Sequence, residues 1–132
     1  METIDVSTRS RTEMIDINKQ VAACVRKSGV KNGLCFLYVP HTTAAVTVNE
    51  GADPSVKRDV LETLNELIPF EADYSHTEGN SAAHIKSTVV GVSEVVPVRD
   101  GAPMLGTWQT IFFCEFDGPR RRKVHVVVSA SD

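Results

Sequence analysis

The chain has 132 residues, of which 42% are hydrophobic and 23% are charged. This length and composition fit one globular domain with a core of its own and exclude an intrinsically disordered chain. The net charge of −3 gives no global basic field of the kind that attracts nucleic acid or anionic membranes. No apolar stretch approaches the ~20 residues that span a bilayer, and the polar N-terminal segment lacks the apolar centre of a secretory signal. We therefore expect a cytoplasmic protein with no nucleic-acid or membrane partner.

The number and spacing of the cysteines also fit a cytoplasmic protein. The chain has three, Cys24, Cys35 and Cys114, and each lies in an apolar context with no CxxC pair. An odd number without metal-type spacing predicts reduced, buried thiols in a cytosolic protein.

The first elements in chain order are two strands and a helix. Partial alternation of apolar residues predicts strands over 2–8 and 12–17. Asn18 is a suitable N-cap for a helix that runs to about Ser28, and Gly29 is a suitable C-terminal stop.

The middle of the chain carries the strongest helix signal. The continuous apolar run over 34–39 predicts a strand that is buried on both faces, and a second strand follows over 44–48. Asp53 is a good N-cap and Pro54 fits the first helical position. Apolar residues then recur at helical spacing until Pro69 ends the helix.

The last third of the chain is predicted as a loop, a short helix and an antiparallel run. Residues 70–80 are polar, and Asn80 or Ser81 can cap a short helix that runs through about Val89 and ends near Gly91. Asp100-Gly101 is a strong turn signal. The remaining strands are predicted over residues 93–98, 107–116 and 123–128.

Helices do not alternate strictly with strands in this order. The sequence therefore predicts an α+β fold, in which a mainly antiparallel β-sheet or sandwich packs with two main helices and one short helix. No linker, repeat or low-complexity tract interrupts the chain, so we expect a single domain over residues 1–132.

Three of the four histidines lie in polar segments. Neutral imidazole is a metal ligand and an acid/base group near neutral pH. If His41, His76 and His84 met at one point, they would leave an open position on a zinc-like ion. The spacing is not HExxH, and three separate hydrogen-bonded or surface histidines stay an alternative. His125 lies in the apolar stretch VHVVV, which indicates a structural role.

Several carboxylates accompany these segments. Glu50 follows Asn49 at the junction of a strand and a helix, where functional sites often lie. Glu115 interrupts an apolar strand, so it is either exposed on one face or buried and paired. Asp53 already has a structural role as a helix cap.

Cationic and aromatic side chains supply candidate phosphate contacts. Lys86, the start of the short helix, and the run Arg120-Arg121-Arg122-Lys123 all suit a bound anion. The pattern by itself favours a solvated hairpin turn for that basic run. Trp108 lies two residues after Gly106 and directly before Gln109. The sequence pattern around Trp108 favours a core position over a stacking surface.

Taken in order, these segments resemble the YjbQ family, also called the secondary thiamine-phosphate synthase family. The resemblance extends from about residue 3 to residue 129, and the ordered combination is highly specific. The matching pieces are His41-Thr42-Thr43, Asn49-Glu50, Asp53-Pro54, Tyr74, His76, Glu78-Gly79, His84-Ile85-Lys86-Ser87, Gly91, Pro97, Gly106-Thr107-Trp108-Gln109 and the hairpin with Arg120 to Arg122.

This resemblance implies a homotrimer and a thiamine-phosphate synthase activity. The reaction joins hydroxymethylpyrimidine diphosphate to a thiazole phosphate and releases pyrophosphate. By position, the resemblance implies catalytic roles for His41, Glu50, His84, Lys86 and Glu115. It implies substrate contacts at Thr42, Asn49, Ser87, Trp108, Gln109, Arg120 and Arg121. It also implies a divalent metal, zinc or magnesium, at His41, His76 and His84.

Two other functions stay open at this stage. A metal-dependent hydrolase needs only the three histidines, with Glu50 or Glu78 as the base. A non-catalytic oligomeric module would bind a small phosphorylated ligand without turning it over.

Overall fold

A computed structural model describes residues 1–131, which fold into three α-helices and eight β-strands. The elements in chain order are β1 (Glu2–Ser7), β2 (Glu13–Asp16), α1 (Asn18–Ser28), β3 (Gly33–Tyr38), β4 (Ala44–Glu50), α2 (Pro54–Leu67), α3 (Ser81–Val90), β5 (Ser93–Arg99), β6 (Ala102–Pro103), β7 (Gln109–Glu115) and β8 (Arg121–Ala130).

The strands form two antiparallel sheets. One sheet has five strands in the order β1-β8-β3-β5-β6, and the other has three in the order β2-β7-β4. Apolar side chains from both sheets and from α1 share one core, among them Val25, Leu37, Val46, Phe113 and Val124. The predicted α+β fold with mainly antiparallel sheets is therefore confirmed.

Helix boundaries show where local sequence signals hold and where they fail. Asp53 caps α2 as predicted, because its Oδ1 accepts a hydrogen bond from the Ser55 backbone N–H at 2.9 Å. Asn18 does not cap α1. It is the first helical residue after Ile17, and its Oδ1 accepts instead from the Ile111 backbone N–H on β7 at 2.8 Å. Gly29 ends α1 with a positive φ of 74°, as predicted.

Strand β3 is not buried on both faces, which corrects the prediction. Cys35 and Leu37 point into the core, whereas Leu34, Phe36 and Tyr38 are 41–53% exposed. The exposed side chains alternate with the buried ones because successive strand residues point to opposite faces. Within residues 1–131, no helix covers the outer face of the five-stranded sheet around β3.

Two strand ends and one side chain also differ from the predictions. Strand β7 begins at Gln109, because residues 106–108 form a turn closed by a hydrogen bond from the Gln109 backbone N–H to the Gly106 carbonyl. Trp108 lies in that turn and is 64% exposed, so its predicted core position is wrong. Strand β8 is longer than predicted and spans Arg121–Ala130.

All three cysteines are free, but only two are buried. Cys35 and Cys114 lie in the core, whereas Cys24 is half-buried, contrary to the prediction. Burial raises the pKa of Cys35 to about 11 and that of Cys114 to about 12. Along residues 1–131, no helix combines the length and the apolarity needed to cross a membrane.

Candidate functional site

Two cavities adjoin at His84. The first cavity has a volume of about 340 Å³ and the second about 410 Å³. The first is lined by Tyr74, Ser75, His76, Ser81, His84 and Ile85. The second is lined by His41, Thr42, His84, Ser87, Thr88, Gly91 and Val92. Both volumes fall within the range of about 300–1,000 Å³ that is usual for small-molecule sites.

Helix α3 carries the shared histidine and is fixed against β4. Ala82 and Ala83 are buried, and the Ser87 hydroxyl donates a hydrogen bond to the Ala44 carbonyl at 2.6 Å. The end of the helix is tied as well, because the Val46 backbone N–H donates to the Gly91 carbonyl at 3.1 Å. These contacts leave the face with His84 open to both cavities.

The wall of the first cavity contains two imidazoles in contact. The ring centroids of His76 and His84 lie 5.3 Å apart, and the rings are at 89° to each other. His76 Nε2 also lies 3.9 Å from the Glu78 carboxylate. This edge-to-face pair brings together two of the three histidines that the sequence singles out.

His41 enters the second cavity from the segment that follows β3. Its Nε2 accepts a hydrogen bond from the backbone N–H of Lys123 on β8 at 2.9 Å. Burial is the main cause that lowers the pKa of His41, and the nearby Arg122 guanidinium lowers it further. The Glu115 carboxylate acts in the opposite direction and favours the protonated ring.

A buried ion pair lies behind the His41 segment. Arg122 donates to both carboxylate oxygens of Glu115, at 2.9 Å from Nε and 2.5 Å from Nη2. The same guanidinium donates to the Thr43 hydroxyl at 2.8 Å. Burial tends to raise the pKa of Glu115, but the hydrogen bonds from Arg122, Thr8 and the Asp117 backbone outweigh it and lower that pKa.

This pair decides two questions that the sequence leaves open. Glu115 is buried and paired rather than exposed on one face. Arg122 is 5% exposed, so the interpretation of the basic run as a solvated hairpin turn is wrong for this residue. All oxygens of Glu115 are engaged within the fold, and neither side chain lines one of the two cavities.

Arg120 is linked to the start of α3. Its Nη2 donates to Asp117 Oδ2 at 2.9 Å, and Asn80 Nδ2 donates to the same oxygen at 2.9 Å. Arg120 is therefore tied to the helix end where Ser81 lines the first cavity. Arg121 lies elsewhere, exposed at the start of β8 and opposite Ser7 in the register.

Lys86 lies on the opposite side of α3 from the cavities. It is fully buried, and its Nζ donates to Asn65 Oδ1 on α2 at 2.6 Å. The ammonium lies 4.0 Å from the centroid of the Phe70 ring, and the Arg11 guanidinium lies 3.7 Å from that centroid. Burial and the charge of Arg11 lower the pKa of Lys86 to about 8.

Four other predicted site residues lie at the far end of β4. On β4, Glu50 is opposite Gln109 of β7 and Asn49 is opposite Thr110 of β7. Trp108 immediately precedes β7. Glu50 Oε2 accepts a hydrogen bond from the Asp53 backbone N–H at 3.2 Å. Strand β4 has seven residues, so this end is about 20 Å from the His41 end. Within one chain, these residues are not brought to the two cavities.

The predicted three-histidine metal set is not assembled within residues 1–131. No group of three or more histidine, cysteine, aspartate or glutamate side chains in that range is placed to hold a metal ion. His41 Nε2 is already engaged by the Lys123 backbone. The donor set of one chain therefore does not fit a single metal centre.

Several cavity residues, two of them on α3, were given no site role by the sequence reasoning. Ile85 lines the first cavity and Thr88 lines the second. The helical spacing could have indicated them, because residues three and four positions apart lie on the same face of a helix. Ser81, His84, Ile85 and Thr88 follow that spacing, whereas Lys86 does not.

These features define a small α+β domain with two antiparallel sheets and a pair of cavities that meet at a histidine. The family described as "UPF0047 protein YjbQ-like" matches residues 2–131. The chain belongs to this family.

Relatives of known sequence match almost the whole chain. The UPF0047 protein of Methanocaldococcus jannaschii is 51% identical over 93% of this chain and 89% of its own length. The UPF0047 protein YugU of Bacillus subtilis is 48% identical over 96% of each chain.

Solved structures support the same fold. A YjbQ/UPF0047 family protein from Clostridium acetobutylicum is 45% identical, with a TM-score of 0.96 over 98% of this chain and 100% of that chain. A protein of unknown function from Sulfolobus solfataricus is 38% identical, with a TM-score of 0.94 over 98% of this chain and 96% of that chain.

Proposed function

We propose that this protein is an enzyme that joins two phosphorylated heterocycles, as a thiamine-phosphate synthase does. The observation that carries this proposal is the pair of adjoining cavities with His84 in the wall of both. A reaction between two ring-containing substrates needs two neighbouring sites whose reacting atoms meet, and the proximity of two bound reactants is itself a large part of catalysis.

The lining of each cavity supports a division of the substrates. Tyr74, His76 and Ile85 give the first cavity aromatic and apolar surface that suits a flat heterocycle. His41 and Thr42 give the second cavity polar groups that suit a phosphate-bearing substrate.

The proposed chemistry needs no nucleophile from the protein. The thiazole nitrogen attacks the methylene carbon of the pyrimidine substrate, and a carbon–nitrogen bond forms. The bond between that carbon and the diphosphate oxygen breaks, and pyrophosphate leaves with the electron pair. Side chains that donate hydrogen bonds to the diphosphate stabilise the charge that develops on the departing oxygen.

In this proposal Arg120 contacts the phosphate group of the substrate that occupies the first cavity. It is held by Asp117 beside Asn80, at the N-terminal end of α3 where backbone N–H groups favour an anion. Lys86 supports the same helix from behind, and in this proposal it positions α3 rather than touching the substrate.

We also propose that the enzyme is a homotrimer. The outer face of the five-stranded sheet supports this, because Leu34, Phe36, Tyr38, Val95 and Val127 are all 41–53% exposed there. Phe36 lies opposite both Val95 and Val127 in the register, so these side chains form one continuous apolar surface. Contiguous apolar surface of this kind is typical of protein–protein interfaces.

The test is a direct assay with both precursors. Purified protein is incubated with hydroxymethylpyrimidine diphosphate and thiazole phosphate, with and without Mg²⁺ or Zn²⁺, and thiamine phosphate and pyrophosphate are measured. We expect the two products in equal amounts. His84→Ala is expected to lower the rate by about 100-fold or more, as the loss of a transition-state contact does.

Val89→Ala is the matched control for the assay. Val89 lies on the same helix, is 65% exposed and lines neither cavity, so its truncation is expected to leave the rate unchanged. Absence of thiamine phosphate under every metal condition overturns the proposal. Saturable pyrophosphate binding without turnover would instead favour a non-catalytic anion-binding module.

A further inference from the structure

We infer that His41 is a neutral imidazole with its proton on Nδ1, which donates a hydrogen bond to an anionic ligand oxygen in the second cavity and is not a metal ligand or a proton acceptor. The inference rests on the proposed function for the class of ligand, a phosphorylated molecule. The tautomer itself rests on contacts within the chain.

The backbone of β8 fixes the tautomer. Strand β3 ends at Tyr38, which is opposite His125 in the register, so the partner strand has ended where β8 reaches Lys123. The Lys123 backbone N–H donates instead to His41 Nε2 at 2.9 Å. A backbone amide can only donate, so Nε2 must be the unprotonated acceptor and the single proton of a neutral ring must be on Nδ1.

The surrounding charges disfavour a second proton on the ring. The elements packed against His41 present Arg122, Lys123 and His125 from β8 and Glu115 from β7. The carboxylate of Glu115 is bound on both oxygens by Arg122, so little of its negative charge is left for His41. Burial and Arg122 lower the pKa of His41, in agreement with a neutral ring.

With Nε2 engaged, Nδ1 is the ring nitrogen of His41 that is left for a ligand in the second cavity. Because Nε2 is occupied, the ring can contact a ligand in the second cavity only as a donor, beside the Thr42 hydroxyl. Metal binding through Nε2 would break the bond to Lys123, and binding through Nδ1 would require that its proton move. The contact with Lys123 therefore opposes a metal-ligand role for His41 within one chain.

Long-range ¹H–¹⁵N correlation spectra of protein labelled with ¹⁵N-histidine measure the tautomer directly. At neutral pH we expect His41 to show a protonated Nδ1 and an unprotonated Nε2. The signals that disappear in His41→Asn are those of His41. His125→Gln is the matched control, because His125 lines neither cavity and its loss is expected to leave the tautomer of His41 unchanged. A protonated Nε2, an imidazolium at neutral pH, or a stoichiometric shift of the His41 nitrogens by Zn²⁺ alone overturns the inference.

Pyrophosphate alone then tests the donor role. We expect pyrophosphate to shift the His41 Nδ1 signal, and His41→Ala to weaken pyrophosphate binding by about 10- to 100-fold, the usual effect of losing a hydrogen bond to a charged group. His41→Asn should restore most of that loss, because its carboxamide lies near the former Nδ1. Unchanged binding in His41→Ala, or no binding by the wild type, overturns the donor role.

These measurements separate the inference from the proposed function. If pyrophosphate binds through His41 Nδ1 but no thiamine phosphate forms, the proposed synthase activity fails and the role of His41 stands. If thiamine phosphate forms and His41 has the other tautomer, the activity stands and the inference fails.

Discussion

Two buried cations in this protein differ in how their charge is compensated. Arg122 is paired with Glu115 through two hydrogen bonds and also donates to Thr43, so its charge is neutralised where it is buried. Lys86 is buried with a neutral acceptor, Asn65 Oδ1. A paired buried charge and an unpaired one respond differently to substitution and to pH.

Removing the negative partner of Arg122 should be costly. We expect Glu115→Gln to lower the free energy of unfolding by about 3 kcal/mol, because a buried guanidinium is left without its counter-charge. Urea unfolding at pH 7 measures the loss, and Glu66→Gln, on the exposed face of α2, is the control. An unchanged unfolding midpoint would contradict the structural role of the pair.

The Glu115–Arg122 pair should also make the free energy of unfolding sensitive to acid. The pKa of Glu115 is lower in the folded protein than in the unfolded chain. The ionised carboxylate therefore stabilises the fold fully at pH values above the pKa of the unfolded chain. This stabilisation is lost as the pH falls through the pKa of the folded protein.

Lys86 should show the opposite type of pH dependence. Its folded-state pKa is about 8, against 10.5 for the free side chain, so the unfolded chain holds the proton more tightly. The stability of the wild type relative to Lys86→Met should therefore rise as pH increases from about 8 to about 10.5, by up to about 3 kcal/mol. Chemical denaturation of both proteins across this range measures the difference, and a constant difference would contradict the unpaired burial of Lys86.

At the scale of elements, α3 determines where the cavities lie. One side of the helix packs on β4 through Ala82, Ala83 and Ser87, and the other side presents His84 to both cavities. The position of His84 therefore depends on how well this helix is attached.

Ser87 tests that attachment. Its hydroxyl donates to the Ala44 carbonyl in a buried position, so we expect Ser87→Ala to lower the free energy of unfolding by about 1–2 kcal/mol. Val89→Ala, two residues along the same helix, 65% exposed and outside both cavities, is the control. If Ser87→Ala instead weakened pyrophosphate binding without any loss of stability, its hydroxyl would be a ligand contact.

Helices α2 and α3 show which structural features the sequence predicts well and which it does not. Asp53 and Pro54 predict the start of α2 because capping depends on adjacent residues. The grouping of His84 with Lys86 does not translate into one cavity, since residues two apart point to nearly opposite sides of a helix. The partners of Lys86, Asn65 and Phe70, are remote in sequence, and no local pattern predicts them.

At the scale of the whole molecule, the outer sheet face explains the misprediction of β3. A continuous apolar run has the same pattern whether its second face is covered by its own chain or by another copy. Leu34, Phe36 and Tyr38 are exposed in the single chain. The sequence therefore predicted burial of a surface that, in the proposed trimer, a neighbouring subunit covers.

Phe36 is the residue whose substitution tests the assembly most directly. It is central on the outer face, between Val95 and Val127 in the register, and a carboxylate placed there would be buried without a partner at any interface. We expect the wild type to have three times the mass of one chain in solution, and Phe36→Asp to have the mass of one chain with its far-UV circular dichroism unchanged. Light scattering after size exclusion measures both. Leu67→Asp is the control, because Leu67 is 73% exposed at the end of α2 and away from the sheet. A monomeric wild type, or a Phe36→Asp protein that keeps the wild-type mass, would contradict an assembly through this face.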